Sequence, residues 1–298
     1  MSPTHLNAET PAQLQARHQA WRQAREAELS GPESWLGLAG LYWLEPGANP
    51  VGSAGENSVI LPRGPARLGA LDWEGEAGVY WRPASPGETR REPGGAGAAA
   101  SADGSPVPAD PWAQPLADDR EGRPDRVCLG GLVFFLIRRG ERLGVRVRDL
   151  DWVATRPFGG VPTYPFDPAW RLTGRWEPLE PPQTLLVPDV TGEERPVTVD
   201  HGARFTVAGE DYQLLPQSVG PDGVLLVFRE WGSGRETYGG GRFLHCPPPE
   251  GGRILLDFNR AYNPPCAFTP FATCPLPPPE NWLPLAIPAG ERKWDGHP

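Results

Sequence analysis

No apolar run in this chain approaches the ~20 residues that a membrane-spanning helix requires, so a membrane is not an expected partner. The N-terminus MSPTHLNAET has neither a basic stretch nor an apolar core, which argues against a signal peptide. Cysteine is scarce: 4 in 298 residues do not make a disulfide scaffold. A cytoplasmic location is therefore expected. Positive charge is in deficit. The 37 acidic residues outnumber 28 basic ones for a net charge of −9, which favours solubility and excludes the basic footprint of nucleic-acid binding. The five histidines are scattered. The sequence contains no phosphate loop, no H-E-x-x-H helix and no G-x-S-x-G elbow. The glycines at 232–234 and 239–241 precede no helix, so they do not read as a dinucleotide fingerprint. No cofactor and no metal site is expected, and the oligomeric state is not specified.

Proline and glycine, by contrast, are abundant at 39 and 37 residues. They border on a low-complexity composition, but 12 Trp, 10 Phe and 6 Tyr argue for a folded chain. The expected fold is mainly β, a sandwich or barrel of many short antiparallel strands with an N-terminal helix and long ordered loops. Residues 1–32 carry the helix. Thr10 and Gln13 have capping-box spacing, Pro11 stands at the first helical position, and Gly31-Pro32 ends the element. Leu14, His18, Trp21, Ala24 and Leu29 recur on one side, which makes His18 a packing residue.

Residues 33–150 read as a first β-rich lobe. Strands are expected at Leu38–Trp43, Ser58–Leu61, Leu68–Trp73 and Val79–Arg82, and a flexible Gly/Ala-rich loop at about 86–110. Trp112 is expected to dock the chain back onto the lobe. Leu132–Ile137 is apolar without interruption and should be buried on both faces. Its return strand alternates Leu143, Val145 and Val147 with Arg142, Arg146 and Arg148. The basic face reads as a solvated strand face paired with Asp149 and Asp151, or as an anion-binding wall.

Residues 151–298 read as a second β-rich lobe. An ordered aromatic connection at 158–170 leads to short strands at Arg171–Trp176, Thr184–Val187, Val197–Val199, Arg204–Val207, Asp211–Leu215 and Val224–Phe228. Two more, Arg242–His245 and Arg253–Phe258, flank a Pro/Gly turn. PLAIPAGERK suggests a last strand. Between them, 259–281 is dense in Pro, Asn and Cys. That composition forbids a helix and suits a rigid loop that presents polar groups.

The candidate site comes from this stretch. Arg242, beside a Gly triplet, offers a planar five-donor fork for an anionic group. Asp257 is the candidate general base and Tyr238 the candidate proton donor, while Asn259, Tyr262 and Asn263 are candidate ligand contacts. Asp257 could equally pair with Arg242 or Arg260 and pin the loop, and Asn259 and Asn263 could hold turns. Cys266 and Cys274 read as two buried thiols, a disulfide, or zinc ligands completed by His245 and Cys246.

TYGGGRFL at 237–244 and DFNRAYNPPCAF…ATCPLPPPEN at 257–281 resemble the signature of domain-of-unknown-function family 1684 of bacteria and archaea. SWLGLAGLYWLEPG at 34–47 and VFFLIRRGERLGVRVRD at 133–149 are similar to it as well, so the resemblance spans most of the chain, roughly Gln15 to Arg292. It implies no activity, because none is established for the family. Three readings of function follow from the residues: binding of a small polar or anionic ligand in a β-rich pocket, cofactor-independent hydrolase or lyase chemistry on Asp257 and Tyr238, and a partner-binding scaffold.

Overall fold

The computed structural model describes residues 9–94, 110–155 and 158–296, the side chain of Glu121 excepted. Most of the segment expected as a flexible loop, from residue 95 to 109, lies outside the described residues. The chain is mainly β, with one long N-terminal helix. Two compact units divide it: residues 30–158, and the helix up to Leu29 together with residues from Gly159 onward. No described helix is long and apolar enough to cross a membrane.

The unit of residues 30–158 contains β1 (Leu38–Trp43), β2 (Gly47–Gly52), β3 (Val59–Ile60), β4 (Gly69–Trp73), β5 (Val79–Pro83), β6 (Arg90–Glu92), β7 (Arg126–Leu129), β8 (Leu132–Arg139) and β9 (Arg142–Asp149), then a short helix α2 (Trp152–Thr155). One sheet runs β1-β9-β8-β7-β6 and another runs β3-β2-β4-β5, in which β2 and β3 are parallel. Their facing side chains, among them Val51, Leu71, Trp81, Phe134, Leu136, Val145 and Val147, form one core. Trp112 packs edge-on against Trp81 with centroids 6.4 Å apart, anchoring the chain where it returns to the unit. The basic face of β9 is not solvated. Arg146 and Arg148 are 6% and 8% exposed, and Glu33, not Asp149 or Asp151, receives Arg148 and Arg126 at 2.9 Å. Asp149 and Asp151 both bind Arg63 instead. The apolar neighbours on that face, Val133 and Ile137, are as buried as the core. Alternation therefore located the arginines on one face correctly but could not show that the face is covered.

The second unit begins with α1 (Pro11–Ser30). Thr10 N–H donates to Gln13 Oε1 at 2.8 Å and Gln13 N–H to Thr10 Oγ1 at 3.3 Å, the reciprocal pair the sequence predicts. Leu14, His18, Trp21, Arg25 and Leu29 turn inward; Ala24 is exposed, and Arg25 joins the packed face instead. The strands are β10 (Arg171–Pro188), β11 (Glu194–Val207), β12 (Glu210–Leu214), β13 (Pro216–Gly220), β14 (Gly223–Phe228), β15 (Arg242–Cys246) and β16 (Arg253–Asp257). They form sheets β12-β11-β10-β16 and β13-β14-β15, and neither closes into a barrel.

β10 and β11 each merge two of the expected short strands. Pro178, Pro181 and Pro182 interrupt the apolar pattern of β10, but the pairing absorbs them as a register shift between Pro178 and Gln183. The expected strand in PLAIPAGERK is absent. Leu283, Leu285, Ile287 and Ala289 alternate inward like a strand and enter the core, but Pro284 and Pro288 lack the N–H groups a ladder needs.

Candidate functional site

The period of two in β15 decides what Arg242 can do. Leu244 and Cys246 face the core, so Arg242, of the same parity, faces it too and is 1% exposed. Its guanidinium donates to the carbonyls of Ile287 at 3.0 Å, of Glu291 at 3.3 Å and of Ala289. It lies 3.6 Å from Glu230 Oε1 and over the Phe228 ring. Burial lowers its pKa to about 10 while Glu230 opposes that shift. The glycine beside it is a packing requirement: Gly241 sits at φ 88°, where a Cβ would meet Pro277 Cγ at 2.5 Å and Phe228 O at 2.6 Å. Arg242 thus stands in for the ladder that the proline-broken segment 283–291 cannot make.

The other polar residues of the motif are similarly bound internally. Asn263 N–H donates to Glu291 Oε2 at 2.6 Å and its Nδ2 to Arg292 O at 2.9 Å. Tyr262 lies under the Arg25 guanidinium and edge-on to Phe243. Asn259 accepts from Asp167 N–H and donates to Asp167 O, both at 2.9 Å, which ties the 158–170 connection to the motif. Tyr164 joins it by donating to Glu236 at 2.6 Å. Tyr238 donates its hydroxyl to Cys266 O at 2.9 Å. Cys246 is buried in the core against Leu244, whereas Cys274 packs in a separate cluster with Val227, Phe243 and Ala272. Among the described residues no three His, Cys, Asp or Glu side chains converge as metal ligands would.

Asp257 has the opposite parity from Ile254 and Leu256, so it points away from the core. The antiparallel register places Arg171 directly across from it on β10. The 3-10 turn Phe258–Arg260 then swings Arg260 back over the same face. The start of α1 brings Leu14 and Arg17 to it, and β15 contributes the exposed His245. Together with Asp222, Pro247, Pro248 and Leu255 these residues line a groove of about 290 Å³. Its lining carries three guanidiniums and two carboxylates.

The charges are incompletely paired. Arg260 Nε is 3.7 Å and Arg171 Nε 3.9 Å from Asp257 Oδ2, both beyond hydrogen-bond length. Asp257 Oδ1 instead accepts from Asn259 Nδ2 at 3.1 Å. Arg260 Nε is buried with no hydrogen-bond partner among the described residues. Burial pushes the Arg260 guanidinium below its ordinary value, Asp257 opposes this, and Arg17 and Arg171 add to it. At the rim, Glu9 lays its carboxylate on Arg17 at 2.6 Å and on Arg171 at 3.6 Å. The hydrogen bond from Arg17 holds that carboxyl below its usual range. His18, packed against Trp21 and Phe166, is depressed by burial while the Asp257 charge opposes the shift.

Of the residues proposed from sequence, Asp257 reaches this groove, and Asn259 reaches it only through Asp257. Tyr238, Arg242, Tyr262 and Asn263 do not line it. Arg17 and Arg171 were not recognisable as site residues, because they lie far from Asp257 in sequence and meet it only through the β10–β16 pairing and the seat of α1, whereas His245, read from sequence as a zinc ligand, lines the groove instead. Parity was a usable signal. Ile254 and Leu256 mark the inner face of β16, and the same rule applied to Leu244 puts Arg242 inside.

Fold and groove together define a mainly β protein with an arginine-rich depression on the outer face of its second unit. The chain belongs to the family described as protein of unknown function (DUF1684), whose model matches residues 156–292. That span contains every groove residue except Leu14 and Arg17. A solution NMR structure of an uncharacterized protein from Haloarcula marismortui is 30% identical, with the match covering 45% of this chain and 77% of that one at a TM-score of 0.38. No curated protein matches the chain.

Proposed function

We propose that the chain binds a small carboxylate- or phosphate-bearing molecule in the groove, through Arg17, Arg171 and Arg260. The observation that carries this reading is the unfilled donor capacity of Arg260. A buried guanidinium N–H without a partner costs about 1–3 kcal/mol or more, and an anion in the groove relieves that cost. Among the described residues Arg171 beside it has no closer carboxylate than Glu9, and Arg forks suit carboxylate and phosphate oxygens. Glu9 illustrates the contact, since its carboxylate spans two of the three arginines. The volume of about 290 Å³ suits a small metabolite, because sites for drug-sized ligands run to roughly 300–1,000 Å³. Asp257 limits the charge of the ligand and orients Arg171 and Arg260 from below.

Calorimetric titration of the full chain with inorganic phosphate and with citrate, at low ionic strength, tests this. Saturable binding is expected, weakened roughly 10-fold or more by Arg260→Gln or Arg171→Gln, the worth of one charge-assisted hydrogen bond. Binding that survives both substitutions unchanged places the anion elsewhere, and absence of heat with either anion removes the reading.

A further inference from the structure

Away from the groove, the motif segment brings together two thiols and a phenol. Cys266 sits in the 3-10 turn Pro265–Ala267, and its N–H donates to Cys274 Sγ at 3.3 Å. The two cysteines are eight positions apart, and the intervening chain turns at Thr269, whose hydroxyl accepts from Phe271 N–H at 3.2 Å. The proline-rich chain thus holds one sulfur against the backbone of the other cysteine. Neither is in a disulfide. Their exposures differ: Cys266 is half-buried, while Cys274 is 5% exposed and packs against Val227, Phe243 and Ala272. The Tyr238 hydroxyl lies over Cys266, donating to its carbonyl at 2.9 Å. Hydrogen bonds from Cys274 and then Tyr238 pull the Cys266 thiol below its ordinary range, against the effect of burial. The remaining cysteines contrast with this. Burial raises both thiols, Cys246 to about 12.

We propose that Cys266 and Cys274 are a modification site that hydroperoxides convert to an intramolecular disulfide, with Cys266 as the attacking thiol and Cys274 as the resolving one. In the first step the Cys266 sulfur attacks an oxygen of the hydroperoxide. The O–O bond breaks, the other oxygen leaves as an alcohol (or water, from hydrogen peroxide) after taking up the thiol proton, and Cys266 becomes a sulfenic acid. In the second step the Cys274 sulfur attacks the Cys266 sulfur, the S–O bond breaks, and the hydroxyl departs as water with the Cys274 proton. Two thiols lose two electrons and the hydroperoxide gains them. The order of attack follows from access, because Cys266 is half-buried whereas Cys274 is 5% exposed. A resolving thiol already in contact captures the sulfenic acid before it oxidises further. The disulfide closes a short ring over the motif loop, and reduction by a small thiol reopens it by exchange.

Mass spectrometry of the full chain treated with hydrogen peroxide and then alkylated tests the proposal. The expected product lacks two hydrogens, carries a cross-linked peptide joining Cys266 to Cys274, leaves Cys128 and Cys246 reduced, and reverts with dithiothreitol. Cys274→Ser is expected to accumulate a sulfenic acid at Cys266 that dimedone traps, and Cys266→Ser to leave Cys274 unoxidised. Tyr238→Phe is expected to slow the first step roughly 2- to 10-fold through the smaller thiolate fraction. Circular dichroism of each variant separates a lost reaction from a lost fold. Sulfinic acid at Cys266 without the cross-link, oxidation of Cys274 in Cys266→Ser, or Cys128 and Cys246 reacting as fast as Cys266 would each overturn it. So would a wild-type chain whose Cys266 stays reduced.

Discussion

Arg242 and Arg260 lie in the same motif, 18 positions apart, and the fold uses them in opposite ways. Arg242 enters the core with 1% of its surface exposed and spends its terminal N–H donors on three backbone carbonyls beside Glu230, while its Nε–H has no partner among the described residues. Arg260 lies over the outer face of the sheet, 3.7 Å from its nearest carboxylate, with a buried N–H unpaired among the described residues. Residue type does not separate a structural arginine from a binding one. Placement does: both arginines leave a buried Nε–H without a partner among the described residues, but the terminal nitrogens of Arg242 are taken up by backbone carbonyls inside the core, whereas Arg260 lines the groove.

The comparison breaks most sharply at Arg242. Arg242→Ala leaves the carbonyls of Ile287, Ala289 and Glu291 buried without their donor and removes the cation beside Glu230, and a loss of about 3–5 kcal/mol in urea unfolding is expected. Arg260→Gln, measured in the same way, should shift stability by less than about 1 kcal/mol. Equal losses for the two would place both arginines in one structural network. Next in size is Gly241→Ala, which forces a Cβ into Pro277 and Phe228 at a positive φ. A cost of about 1–3 kcal/mol is expected, with no change in anion binding by calorimetry.

Asp257→Asn sharpens the groove side. Removing its charge should tighten phosphate binding roughly 3- to 10-fold, because one of the carboxylates opposing the ligand is gone. Weaker binding in that variant would mean that Asp257 acts chiefly by orienting the two arginines.

The smallest effect expected is a pH slope from His18. Burial depresses its folded-state pKa, so as pH falls the unfolded chain takes up the proton first. The stability contributed by neutral His18 is complete above the unfolded value of about 6.5 and declines as pH falls through it. Glu291 runs the other way. Burial raises its carboxyl, so its contribution is lost as pH rises through that raised value. Comparing His18→Leu with the parent at about pH 8 and about pH 5 in urea isolates the histidine. The variant should lose less stability on acidification, and identical losses would show that the imidazole takes up its proton equally in the folded and unfolded states.

Much of this molecule was legible before any coordinates. The capping box of α1, the doubly buried run Leu132–Ile137, the return strand Leu143–Val147 and the packed His18 rest on local rules of period and capping, and each appears as the residues predict. Strand lengths were less legible. The prolines of β10 and the glycine of β11 broke patterns that the ladder bridges, because a paired partner supplies hydrogen bonds that local propensity does not register. The converse occurs at 283–289, where a strand-like alternation packs into the core but the prolines deny it a ladder.

The candidate site divides along the same line. The sequence by itself determined that Asp257, Arg242, Tyr238 and two cysteines lie on a rigid proline-rich motif, since proline spacing and aromatic content are properties of the chain. The sequence reading placed Arg242 and Asp257 in one site, although strand parity read from Leu244, Ile254 and Leu256 separates an inward Arg242 from an outward Asp257. Only the tertiary structure decided which cations meet Asp257. Arg171 reaches it through antiparallel register, Arg260 through a 3-10 turn, and Arg17 through the seat of a helix more than 200 residues earlier in the chain. Such encounters depend on which elements pair once the cores close. Local sequence cannot specify them, because the hydrophobic burial that drives the pairing is shared by the whole unit rather than by the residues that end up side by side.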